Sequence, residues 1–193
     1  MDRTLRTSFP GALALAALLV IGLPSAVAKE PPPASSPAAA PGSPLDALRF
    51  LVGTWNGASS GEPGEGTGTA TFAYELDGRV LVRRSRTAFP AAQGKPGVVH
   101  EDLMVIHAEP GGRIGAEYFD SEGHVIRYAV EVAPDGRRAV FSSATGAPGP
   151  AFRLTYASVD ADTVDVAFAI APPGKPGEFT THVAGRTCRA AKR

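Results

Sequence analysis

The chain has 193 residues, 19 basic and 19 acidic side chains, and one cysteine. That balance excludes the positive footprint required for binding nucleic acid or an anionic membrane surface. A lone Cys188 excludes both an internal disulfide and a cysteine-ligated metal cluster, so the core alone must hold the fold. Near the C-terminus this thiol reads as half-buried.

In chain order, Arg3 and Arg6 precede an apolar run from Ala12 to Leu23, followed by Pro24 and the small triplet Ala26-Val27-Ala28. This is the layout of a secretory signal peptide, residues 1–28, with cleavage expected before Lys29 and delivery to the periplasm or beyond. The run falls short of the ~20 residues of a spanning helix, so no membrane span is expected in the mature form. No Cys follows it to carry a lipid. Residues 29–42 contain Pro31, Pro32, Pro33, Pro37 and Pro41 among Ala and Ser, and read as a disordered tether. Residues 43–193 suffice for one domain.

Ser43-Pro44-Leu45-Asp46 reads as a helix start, with Ser as cap, Pro at the first position and an acid near the N-terminus. Leu45, Leu48, Phe50, Leu51 and Val52 give the helix its apolar side, and Gly53 ends it. Everything beyond alternates with period two. Ala70, Phe72, Tyr74 and Leu76 lead into Asp77-Gly78, a type I′ hairpin signal, and on to Val80, Leu81 and Val82. The pattern recurs through Val98 to His107, Ile114 to Tyr118, Ile126 to Val132, Ala139 to Ser143, Phe152 to Tyr156, Val164 to Ile170 and Phe179 to Cys188. With Thr54 to Ser59 as the first, about ten short strands follow one helix. The fold class is therefore all-β, an antiparallel meander barrel, with a β-sandwich as the alternative.

The stretch Leu48-Arg49-Phe50-Leu51-Val52-Gly53-Thr54-Trp55-Asn56-Gly57 resembles the L-x-G-T-W-x-G opening of bacterial lipocalin-like domains of unassigned function and of nitrobindin-like haem barrels. Tyr118-Phe119-Asp120-Ser121-Glu122-Gly123-His124 is similar to a phrase of the former group. The resemblance implies a calycin barrel, related to lipocalins and fatty-acid-binding proteins, in which the Trp packs across the barrel bottom. It also implies two chemistries. A haem-ligating His comes from the C-terminal strand region in nitrobindin-like barrels, where this chain has His182. An inward arginine can fork onto a ligand carboxylate in fatty-acid-binding barrels.

The residues themselves give partial answers. Trp55 is explained as a plug without any ligand. His100 and His107 are seven apart on one strand and face opposite sides, so they cannot share a metal ion. His182 faces solvent if Phe179, Thr181 and Val183 point inward, and Gly61, Pro63 and Gly64 replace the aromatic-Pro pattern of the haem barrels. His124 shares the parity of Ile126, Tyr128 and Val130 and reads either as a group at a cavity mouth or as a half-exposed strand-end His donating to a loop carbonyl. Counting from Val80 and Val82, Arg84 and Arg86 point inward, which makes Arg84 the polar anchor; if the strand twists or bulges after Val82, they solvate an edge instead. Gly94-Lys95-Pro96 and Gly174-Lys175-Pro176 lack what a P-loop needs, there is no G-x-S-x-G elbow, and Asp160, Asp162 and Asp165 read as turn residues. No catalytic constellation emerges.

The expectation is thus an exported module binding a small apolar or amphipathic ligand. Its cavity candidates are Trp55, Phe72, Tyr74, Arg84, Tyr118, His124, Tyr128, Phe152 and Phe168. A filled scaffold barrel and a haem barrel ligated by His182 stand beside it. No other cofactor or metal is expected.

Overall fold

Short alternating segments joined by tight turns pair with their sequence neighbours, because each turn returns the chain beside the strand it left. The computed structural model describes residues 38–191 apart from 62–63, 93, 95 and 145–148, so the stretch read as a signal peptide and most of that read as a tether lie outside the described residues. Ten strands are formed: β1 (Gly53–Gly61), β2 (Gly66–Glu75), β3 (Val80–Phe89), β4 (Val98–Ala108), β5 (Ile114–Asp120), β6 (Val125–Val132), β7 (Arg138–Ser143), β8 (Ala151–Ser158), β9 (Thr163–Ala171) and β10 (Thr180–Arg189). Each is antiparallel to the next, and β1 also pairs with β10, from Trp55 opposite Arg189 to Gly61 opposite Val183. The sheet is a closed barrel, which rules out the sandwich and leaves no open edge.

The turns carry the chemistry their sequences imply. Leu76, Asp77 and Gly78 all have positive φ, 51°, 54° and 77°, and Arg79 N–H donates to the Leu76 carbonyl at 3.2 Å, so a turn of the type I′ sense closes a ladder that ends at Glu75 and Val80. At other turns an Asp carboxylate accepts from backbone N–H groups: Asp135 from Arg137, Asp160 from Asp162, and Asp120 from both Glu122 and His124.

The N-terminal helix spans Pro44–Leu51 and is of the 3-10 type. Ser43 caps it, accepting from Leu45 N–H at 3.2 Å. At three residues per turn, Leu45, Leu48 and Leu51 fall in one row, and all three are buried. Phe50 and Val52 sit at the flank, only partly buried. Tyr74 at the end of β2 donates its hydroxyl to the Leu45 carbonyl at 2.9 Å. The helix thereby seals the barrel end formed by Tyr74, Leu81, Ile106, Ile114, Val130, Ala139 and Val164, all core residues near one end of their strands.

Gly53 links plug to barrel. Its φ is +124°, and a Cβ there would meet Arg189 Nη1 at 2.6 Å. Arg189 uses that space to donate to the Val52 carbonyl at 2.7 Å. Residues 38–42, the end of the stretch read as tether, lie beside the β2–β3 hairpin, with Ala40 N–H donating to the Gly78 carbonyl. Cys188 is exposed rather than half-buried, because the neighbouring Thr187 takes the inward position on β10. Among the described residues, no helix is long and apolar enough to cross a membrane.

Candidate functional site

The end of the barrel opposite the plug is open, and a cavity of about 540 Å³ runs down from it. Its rim comes from the free ends of the strands: Ser59, Phe89, Val98, His100, His124, Phe152, Ile170 and His182. Phe72, Tyr128 and Tyr156 border it at depth, joined through the fully buried Phe141 into a chain of aromatic rings in edge contact. Phe72 meets Tyr156 at 5.6 Å, Tyr156 meets Phe141 at 5.7 Å, and Phe141 meets Tyr128 at 6.2 Å between centroids. On one wall Phe152 and Phe168 stack at 5.9 Å.

Of the residues proposed from sequence, Trp55, Phe72, Tyr118, His124, Tyr128, Phe152 and Phe168 border this cavity. Two do not. Tyr74 is buried in the plugged end, where its hydroxyl is taken by the helix. Arg84 points outward, its side chain 61% exposed and paired with Glu75 at 2.7 Å. The inward row on β3 is instead Leu81, Arg83, Ser85, Thr87 and Phe89. The run Val80-Leu81-Val82 is apolar on both faces, and counting from its outer members sets the wrong parity.

Arg83 is therefore the interior arginine. Its Nη1 and Nη2 lie 3.3 Å from Asp102 Oδ1 and Oδ2, and the Asp102 side chain is only 3% exposed. Burial alone would lower the Arg83 pKa; the Asp102 carboxylate 3.3 Å away opposes this and keeps the guanidinium charged. Burial pushes the Tyr156 hydroxyl up to about 12 and raises those of Tyr118 and Tyr128 as well, so all three phenols are neutral at physiological pH. Five buried side-chain polar atoms among the described residues lack a hydrogen-bond partner: Ser59 Oγ, Arg83 Nε, Asp102 Oδ1, Arg153 Nε and Tyr156 OH. All but Arg153 belong to residues bordering the cavity. The unmet polarity of the fold is thus concentrated there.

A second polar group lines the rim. His100 Nδ1 is 2.8 Å from Glu122, its Nε2 is 3.0 Å from the Tyr118 hydroxyl, and Asp102 is 3.6 Å away. His124 Nδ1 lies 2.9 Å from Asp120 Oδ2. His124 thus pairs with a carboxylate at the mouth, its own side chain largely exposed. His100, Asp120 and Glu122 each bring a ligand atom within 4.8 Å of the others, a donor set able to hold a divalent cation. His107 does not border the cavity, as its odd separation from His100 requires.

The Asp102 carboxylate 3.6 Å from its ring and the charge of Glu122 raise the His100 pKa against the effect of burial. A raised folded-state pKa stabilises below the unfolded value of 6.5 and stops doing so as pH rises through the folded value. We therefore expect the stability gap between wild type and His100→Gln to be widest near about pH 5 and to narrow above about pH 7. Thermal unfolding of both proteins across that range measures it.

Counting alternate residues along β10 places His182 in solvent, and the residue is exposed there, though it also stands at the cavity mouth. The register of β10 against β9 shifts between Thr181 and Val183, so His182 and Val183 both border the cavity. A bulge breaks the period-two rule locally and turns two successive side chains to one side. Haem, the group the resemblance implies, needs an imidazole on the cavity wall and apolar surface beside it. His182, edge-on to Phe168 at 6.5 Å and next to the stacked Phe152, meets those two requirements.

The interior residues missed from sequence are Arg83, Asp102, His100 and Tyr156. Arg83 had a usable signal. With the turn at Asp77-Gly78, Phe72 faces Arg83 across the β2–β3 ladder, and cross-strand partners share a face.

No family model matches the chain, and no curated protein matches it. Among solved structures it is similar to the crystal structure of Rv2717c from M. tuberculosis, with a TM-score of 0.55 and 18% identity over 79% of this chain and 99% of that one. It is also similar to a de novo designed fluorescence-activating β-barrel, at a TM-score of 0.38 and 15% identity over 75% of this chain and 98% of that one. The structure of EF1p2_mFAP2b bound to DFHBI follows at 0.34 and 12%, covering 75% and 97%. At its identity the first likeness bears on the fold alone, and it agrees with the closed antiparallel barrel described above.

Proposed function

We propose that the chain is an exported binding module that takes a small apolar or amphipathic molecule into the barrel. The observation that carries this reading is the cavity of about 540 Å³, open at one end and floored by Phe72, Tyr128 and Tyr156. A volume of that size with mostly apolar walls and a few convergent polar groups suits a small organic ligand. A scaffold barrel would fill its interior with side chains, and here only the plugged half is filled. Export rests on the order of charge, apolar run and small-residue site in residues 1–28.

Native mass spectrometry of protein purified from its own host, with a Nile red titration of stripped protein, tests the reading. A retained small-molecule adduct, or one saturable dye site per chain, is the expected result. Neither an adduct nor dye uptake would overturn it.

The bulge at His182 favours a second reading, a haem barrel. His182 would hold the iron and the Phe152 and Phe168 pair would cover the macrocycle, while the haem would supply redox or gas-binding chemistry. A Soret band shifted on adding haem, and lost in His182→Ala, is its expected signature. An unshifted band removes it.

A further inference from the structure

The start of β4 and the β5–β6 hairpin bring an imidazole and two carboxylates together at the cavity mouth. His100, Asp120 and Glu122 all border the cavity, and each offers a ligand atom within 4.8 Å of the other two. Glu122 Oε2 lies 2.8 Å from His100 Nδ1, so Nδ1 is the nitrogen turned toward the acids. The other nitrogen, Nε2, is held 3.0 Å from the Tyr118 hydroxyl, and Asp102 stands 3.6 Å from it on a side chain only 3% exposed. An imidazole fixed through one nitrogen by a phenol and a buried carboxylate, and presenting the other to two acids, has the outer-shell support that protein metal sites use. Asp120 is oriented in the same manner. Its Oδ1 accepts from the Glu122 and His124 N–H groups, while Oδ2 takes one bond from His124 Nδ1 and keeps a lone pair.

Charge points the same way. Asp102, Asp120 and Glu122 bring three negative charges to the cavity wall, and Arg83 is committed to Asp102. Among the described residues, Asp120 and Glu122 have only histidines as charge partners, His124 and His100. With those imidazoles neutral, two neighbouring carboxylates remain uncompensated, and the Asp120 side chain is only 6% exposed. That burial separates the group from a solvated surface cluster.

We propose that His100 Nδ1, Asp120 and Glu122 bind one divalent first-row transition ion of the zinc class at the mouth of the barrel. An imidazole in the donor set selects against calcium and magnesium, which take oxygen ligands. Zinc bonds of about 2.1 Å hold tetrahedral ligand atoms roughly 3.4 Å apart, so the group closes from 4.8 Å by at most about 1.4 Å. Glu122, on the turn with its side chain 41% exposed, has the freedom to make that movement. Three protein ligands leave a coordination position for water or for a donor atom of a molecule in the cavity. The site uses none of the aromatic residues deep in the cavity, so it goes beyond the binding reading and does not depend on it.

Calorimetric titration of the untagged, chelator-treated chain with zinc chloride, against calcium chloride, tests the assignment. One zinc per chain, bound at least about tenfold more tightly than calcium, is the expected result. Glu122→Gln removes a ligand and is expected to weaken zinc by more than about tenfold, the lower end of what loss of an outer-shell partner alone costs. The variant keeps the backbone N–H that Asp120 accepts, so the turn survives. Glu131→Gln, which changes an exposed carboxylate of β6, is expected to leave zinc binding as it is.

No zinc binding below about 100 μM overturns the site, as does calcium bound as tightly as zinc. So does a Glu122→Gln protein that binds zinc like the wild type, or an equal loss in Glu131→Gln. Nile red uptake by the chelator-treated wild type decides the binding reading separately, whichever way zinc falls.

Discussion

Asp102→Ala is expected to lower the unfolding free energy by about 3 kcal/mol, read as a shift of the urea midpoint at constant slope. The cause is not the loss of an attractive pair as such. Arg83 would remain inside the barrel, held on β3 between Leu81 and Ser85, with its charge uncompensated. Breaking a buried pair costs about 3–5 kcal/mol, and the cavity can admit water to the guanidinium, which places this site at the low end. The double variant Arg83→Met with Asp102→Leu is expected to recover the whole loss and exceed the wild type by about 1 kcal/mol or more, since two apolar groups carry no desolvation penalty. If the single and double variants lost the same amount, the pair would not be acting as a buried ion pair. Against a typical total of about 5–15 kcal/mol, retaining such a pair inside an apolar barrel is a substantial concession of stability. That cost is what makes Arg83 and Asp102 informative about function.

The barrel itself was legible in the sequence because closed antiparallel sheets are built from local decisions. Each strand announces itself by alternation, and each turn by Gly, Asp or Pro. Asp77-Gly78 fixes one ladder, and the Asp side chains at 120, 135 and 160 close three more. The helix was legible in position but not in type. Leu45, Leu48 and Leu51 recur every third residue, which favours a 3-10 row over an α-helical face, and Phe50 and Val52 fall outside it.

The site was harder to read because parity errors propagate. Within β3 three apolar residues in succession carry no parity information, and taking Val80 and Val82 as inward sends Arg84 inside and Arg83 out. Cross-strand pairing with Phe72 resolves it correctly, so the information was present but non-local. In β10 the residue misread is Thr181, taken as inward although it pairs with Ala169 on the outer face. The bulge between Thr181 and Val183 has no Gly or Pro to mark it, and nothing in the local pattern shows that the exposed His182 also borders the cavity mouth. Tyr74 illustrates a third limit. Its parity was right and its depth was not, because depth depends on where the helix seats, and only the bond to the Leu45 carbonyl places it in the plug. The rim cluster of His100, Tyr118, Asp120, Glu122 and His124 joins β4 to the β5–β6 hairpin, and alternation along any single strand does not reveal it.

The sealed end yields the other large effect. Trp55→Ala is expected to cost about 3–5 kcal/mol, the usual range for deleting a fully buried large aromatic side chain. Trp55 is 2% exposed and does three things at once. Its ring fills the space between the helix and the barrel floor; its Nε1–H donates to the Leu51 carbonyl at 2.6 Å, satisfying an acceptor at the end of the helix; and its face lies 4.2 Å beneath the Arg189 guanidinium. That guanidinium in turn holds the Val52 carbonyl and the turn at Ala161. Removing the indole therefore opens a void, orphans a carbonyl and unseats the arginine that ties the C-terminal strand to the plug. Trp55→Phe separates these contributions. It keeps most of the volume, so its cost is expected near about 1–2 kcal/mol, from the lost hydrogen bond and the weaker cation–π contact. If Trp55→Phe instead left the urea midpoint unchanged while weakening Nile red uptake, the tryptophan would serve the ligand rather than the fold. The bond to Leu51 and the arginine above the ring argue for the fold.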